Sequence, residues 1–197
     1  MKQADYHPTP RRALAEAIVT VGLLAAVVAF VPLGSPGFAA ATAAGCLLVA
    51  GYVVFHLARR PGAWRRWGVF PEDRDEGCLW GCWVLSALAI ASLGPILAVR
   101  LLVTTPVVGY PVAYIVWCAV QDFVFFALIL RNLEDVTHPL IALAATAVLF
   151  GASHYPFHEF MVLTGLVGAV WGCVYLLNRG LVLITASHWV LGVLVLA

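Results

Sequence analysis

Asp122, His154 and His188 are the residues in this sequence whose positions most demand a chemical reason. Each falls well inside a long apolar run. If such a run crosses a bilayer, a carboxylate at its centre costs on the order of 2.5–3.5 kcal/mol on insertion scales. The other acids avoid that cost. Asp5, Glu72, Asp73, Asp75, Glu76, Glu134 and Asp135 fall in tails or connections, and Glu16 and Glu159 stand at the ends of runs. His7, His56 and His138 belong to the tail and to run ends, and His158 follows Pro156, which should break its helix. With Gln121 beside Asp122, the polar centre of the chain is therefore Gln121, Asp122, His154 and His188. One carboxylate and two imidazoles can hold zinc with water in the open position, or serve as a general acid and base. Hydrogen bonds that merely pack helices together are the alternative.

Such groups can act together only if the elements carrying them converge. Of the 197 residues, 63% are hydrophobic and 11% charged, against roughly 25% charged in a soluble domain. The charges are also clustered, leaving uncharged runs of spanning length, and only a bilayer tolerates these as a solvent. The fold expected is all-α: a polytopic transmembrane bundle of about seven spans in one integral membrane domain, 1–197. The spans read as 13–33, 37–57, 78–103, 107–130, 139–157, 159–177 and 181–197, with a basic loop at 59–77. The first run exceeds the roughly 7–15 residues of a signal-peptide core and is read as a retained span. Short connections make spans five to seven expected antiparallel neighbours. Five cysteines, Cys46, Cys78, Cys82, Cys118 and Cys173, lie in or beside apolar segments without redox or zinc-ribbon spacing, and read as small packing residues.

With the N-terminus cytoplasmic, ten of the eleven Lys and Arg residues fall on the inner side: Lys2, Arg11, Arg12, Arg59, Arg60, Arg65, Arg66, Arg74, Arg131 and Arg179. Only Arg100 lies elsewhere. This bias supports both the span count and the direction. In the 59–77 loop, Trp64 and Trp67 suit an interfacial anchor drawn to anionic lipid, or a docking surface for a partner. A net charge of +1 leaves no nucleic-acid footprint.

The last 90 or so residues resemble the CPBP family, intramembrane proteases that include the type II CAAX prenyl endopeptidases and the Abi proteins. That family's pattern is E-E-x-x-x-R on one helix, F-x-x-x-H on the next and H-x-x-x-N on a later one. The second motif stands intact as Phe150-Gly151-Ala152-Ser153-His154, and the third keeps His188. Between them, 164–175 is similar to the family's glycine-rich helix, with Gly168 and Gly172 four apart, where small residues let helices approach closely. The first motif is degenerate. Gln121 stands at the first glutamate, Asp122 at the second and Phe126 at the arginine, and Gly192 replaces the asparagine. The resemblance implies that the first glutamate, with the histidines, activates water for peptide hydrolysis. A glutamine amide cannot take that proton.

Three functions are therefore expected in turn. The first is a catalytically degenerate protease-like protein that serves as a binding, scaffold or assembly subunit among other membrane proteins, in the bacterial inner membrane. The second is an active endopeptidase with an altered centre of Gln121, Asp122, His154 and His188, with or without zinc on Asp122 and the two histidines. The third is a subunit that binds a haem or chlorophyll-type pigment through histidine ligands.

Overall fold

The computed structural model describes residues 8–30, 36–60, 63–68 and 109–196. The expected third span, 78–103, and most of the 59–77 loop lie outside the described residues. The described residues form helices joined by short turns. Helix α1 runs over Pro10–Phe30 and α2 over Pro36–Arg59, each opening on a proline, whose missing N–H costs nothing in a first turn. A single turn, α3 (Ala63–Arg66), follows. It ends at Gly68, whose φ of +61° and contact with the backbone carbonyl of Arg179 leave no room for a Cβ.

The rod through the centre is built from α4 (Gly109–Asp122), a π-helix (Phe123–Leu130) and α5 (Arg131–Glu134). Asp122 and Arg131 at its two joints keep helical dihedrals, so the three pieces form one continuous helix. Its widened turn shows at Arg131, whose N–H reaches back five residues to the Phe126 carbonyl. Seven of the eight π-helical residues are buried, so packing on every side holds them. Helices α6 (Pro139–Ala152), α7 (His158–Asn178) and α8 (Leu181–Leu196) surround this rod. His138 caps α6, its Nδ1 accepting from the Leu140 N–H at 3.3 Å.

Two expectations need correction. The fifth apolar segment, expected to run to 157, ends as a helix at Ala152, and residues 153–157 form a turn before the next helix starts at His158. Helices α6 and α7 pack along their length, but α8 lies mainly against α4 and touches α7 little. Glycines set the α6–α7 spacing: a Cβ on Gly151 would strike the Met161 carbonyl, and one on Gly168 would press the Phe150 ring.

Apolar side chains face outward. Leu140 is 67% exposed, Val148 70% and Leu166 65%, while Asp122, Asn132, Thr146 and His188 are buried. So broad an exposed apolar surface, with ionisable groups buried, suits hydrocarbon as the surrounding medium. The helical stretches Tyr114–Glu134 and His158–Asn178, 21 residues each, are long and apolar enough to cross a membrane. Ala43–Arg59, Pro139–Ala152 and Leu181–Val193 are apolar but shorter.

The basic residues collect at one end of the bundle. Arg12 bonds Glu16 at 2.8 Å and approaches the His56 ring at 3.3 Å. Arg66 donates to Asn132 at 2.7 Å and to Asp135 at 2.6 Å. Glu134 takes both guanidinium nitrogens of Arg179, at 2.6 and 2.5 Å, and one of Arg131, at 2.7 Å. The amide of Asn132 reaches Glu16 at 3.3 Å, which ties α1 to the central rod.

Candidate functional site

Tyr114, Cys118 and Asp122 stand four apart on α4 and therefore share one face. Helix α8 packs against α4 and carries His188. The two helices meet in a direct bond: His188 Nδ1 lies 2.9 Å from Asp122 Oδ1, with Asp122 fully buried and His188 6% exposed. With the carboxylate as acceptor, the ring proton sits on Nδ1 and the basic lone pair on Nε2. Thr185, one turn before His188, also bears on the carboxylate. Oδ2 of Asp122 has no hydrogen-bond partner among the described residues.

Aromatic rings wall in the imidazole of His188. Trp171 lies 4.6 Å from it between centroids, Phe150 5.7 Å away edge-on, and Tyr114 6.4 Å away edge-on. Phe150 in turn meets Trp171 at 5.9 Å and Phe125 at 4.9 Å. The space around the pair is thus largely apolar.

His154 sits beyond the end of α6, in the turn that follows. Its Nδ1 is held by the Phe150 carbonyl at 3.0 Å and lies 3.3 Å from the Ser153 hydroxyl, which itself donates to that carbonyl at 2.7 Å. The Phe150 ring is 5.5 Å from His154 and 5.7 Å from His188, so both imidazoles lean on the same phenyl ring. The bonds of His154 are thus to its own turn, apart from the Asp122–His188 hydrogen bond. Among the described residues, no three His, Cys, Asp or Glu side chains are grouped so as to hold a metal ion.

The altered motif positions each have a structural counterpart. Gln121 is partly exposed and bonds neither histidine. Consecutive helical residues point about 100° apart, so burying Asp122 turns Gln121 away from it. Phe126 is fully buried, 6.1 Å from Phe150 and 6.2 Å from Tyr175, which makes the arginine position part of the apolar core. At Gly192 the Tyr114 ring occupies the volume that a side chain would need, with its Cζ 2.5 Å from an ideal Cβ. Sequence reasoning missed Tyr114 and Trp171. The four-residue step from Asp122 back through Cys118 to Tyr114 was the available signal for the first, and the place of Trp171 on the glycine-rich helix for the second.

Chemically, an aspartate fixing the tautomer of a histidine is the orienting half of many acid–base sites. Here both members of the pair are buried. No curated protein and no solved structure matches the chain. Residues 103–194, which hold Asp122, both histidines and the glycine-rich helix, match the family model described as Type II CAAX prenyl endopeptidase Rce1-like, so this region is similar to that family of membrane protease-like proteins.

Proposed function

We propose that this protein is a non-proteolytic CPBP-type subunit that binds or assembles other proteins in the bacterial cytoplasmic membrane. The observation carrying this reading is the state of its one deep carboxylate. Asp122 is fully buried and bonded to His188, with rings packed around the pair, so it is not presented to a water near His154. Phe126 in the apolar core and Tyr114 against Gly192 support the same reading, since neither position offers a polar group to a peptide bond. A fold retained while its chemistry is lost fits a structural role, because site and scaffold are separable. The topology goes with it: about seven spans, the N-terminus inside, and the end that gathers Arg12, Arg66, Arg131 and Arg179 facing the cytoplasm.

One observation favours a second reading, an active endopeptidase. The Asp122–His188 bond is the geometry that poises Nε2 as a base. A single assay separates the two. The purified protein is incubated with a prenylated C-terminal peptide and compared with its His154→Ala and His188→Ala variants. The expected result is no cleavage above either variant, together with a defined membrane protein copurifying with all three. Cleavage by the native chain that either substitution abolishes would overturn the reading.

A further inference from the structure

The structure sorts the arginines at the basic end into two classes that the sequence cannot distinguish. Arg12, Arg66, Arg131 and Arg179 are held in ion pairs by Glu16, Asp135 and Glu134. Arg11, Arg59 and Arg65 are exposed, and no ion pair engages them among the described residues. Two of these three are positioned by aromatic rings. The Arg59 guanidinium lies 4.3 Å over the Phe55 ring, and that of Arg65 lies 5.2 Å over Trp64. An arginine stacked on a ring loses less freedom when it takes a ligand, because its plane is already oriented.

Their neighbours locate these arginines along the membrane normal. Phe55 is 50% exposed, Leu57 36%, Leu14 43% and Ile18 61%, so exposed apolar side chains begin within a turn or two of Arg11 and Arg59. The contact between Arg12 and His56 brings the start of α1 to the end of α2, which sets Arg11 at the same end of the bundle as Arg59. Three cations at the edge of an apolar belt lie where lipid phosphates lie.

We propose that Arg59 and Arg65, with Arg11 beside them, form a site for the headgroup of anionic phospholipid in the leaflet at the basic end. Charge complementarity selects the lipid: a zwitterionic headgroup carries its own cation, whereas phosphatidylglycerol does not. The ion-paired arginines take no part, since their charge is already matched by Glu16, Asp135 and Glu134. Each exposed arginine near an anionic surface contributes about fivefold in affinity, following the roughly 1 kcal/mol assigned to one basic residue there.

The test is a titration of the detergent-solubilised full-length chain with labelled phosphatidylglycerol and, separately, phosphatidylcholine. Tighter binding of phosphatidylglycerol is expected, with a fall of about 25-fold in the R59Q/R65Q double variant and little change for phosphatidylcholine. Raising ionic strength from about 0.05 to 0.5 M should erode the selectivity of the unaltered protein, which checks the idea without any substitution. Equal binding of the two lipids, or undiminished selectivity in R59Q/R65Q, would overturn the proposal. So would displacement of the lipid by glycerol 1-phosphate at equal concentration, since that would mark a site for soluble phosphate.

Discussion

Restoring asparagine at position 192 tests whether the departure from the family pattern is built into the packing. The Tyr114 ring fills the volume beside Gly192, so a Cβ placed there meets the ring edge and the hydroxyl, with Cζ at 2.5 Å. An ordinary contact begins near 3.4 Å, so the ring must retreat by roughly an ångström from its seat between α4 and α8. Overpacking of this kind costs about 1–3 kcal/mol. The retreat also pulls Tyr114 away from His188, its edge-on neighbour at 6.4 Å.

The measurement is denaturant unfolding in mixed micelles for four proteins: the native chain, Gly192→Asn, Tyr114→Ala and the double variant. In the native background Gly192→Asn should destabilise by about 1–3 kcal/mol, and in the Tyr114→Ala background by about 0.5 kcal/mol or less. Changes in helix propensity and in the hydration of the new amide occur in both backgrounds and cancel across the cycle. What survives is the interaction of the two residues. Equal costs in the two backgrounds would refute the reasoning, because the ring would then not be what excludes a side chain at 192.

Two further outcomes follow from contacts at the helix interface and at the basic end. Gly151→Ala forces a Cβ onto the Met161 carbonyl and should destabilise by about 1–2 kcal/mol, whereas Gly165→Ala, whose Cβ would sit at an ordinary 3.4 Å from the Ala147 carbonyl, should be neutral or stabilising by about 0.5 kcal/mol; unfolding of the two variants side by side checks the difference in sign. Glu134→Gln removes the charge that grips Arg179 through two bonds and Arg131 through a third, at side chains only 14% and 13% exposed for Glu134 and Arg179, and should cost about 1–2 kcal/mol at low salt. That penalty should shrink in about 0.5 M salt, as unfolding at the two ionic strengths will report.

Arg179 illustrates how local backbone and distant charge are linked. It takes a left-handed conformation, φ 54°, to end α7, a conformation that costs a side-chain-bearing residue on the order of 1–2 kcal/mol. Glycine usually fills this place. The paired bonds to Glu134, on a different helix, offset that cost. Asn178-Arg179-Gly180 reads in sequence only as a turn, since neither the choice of left-handed residue nor its partner is a local property.

The membrane character of the chain was legible from residue types alone. Apolar runs free of charge satisfy their own backbone as helices in lipid, and the described runs are helical, with leucines and valines facing outward. The clustering of arginines was legible too, since insertion sorts charge by loop and needs no tertiary knowledge. The Phe150-x-x-x-His154 spacing and the isolated Asp122 and His188 were also legible, because an ionisable group within an apolar run is rare enough to stand out.

What the residues could not decide was which of those groups touch. Asp122 and His188 are 66 positions apart, and their bond depends on α8 packing against α4, a choice made by the shapes of two nearly featureless apolar helices. The end of α6 at Ala152, the π-helix after Asp122, and the ring of Tyr114 against Gly192 are of the same kind. In an apolar sequence most faces are chemically alike, so periodicity selects no partner. Close packing does, because it is decided by volume: a glycine opposite a ring, or a carbonyl where a methyl would otherwise sit.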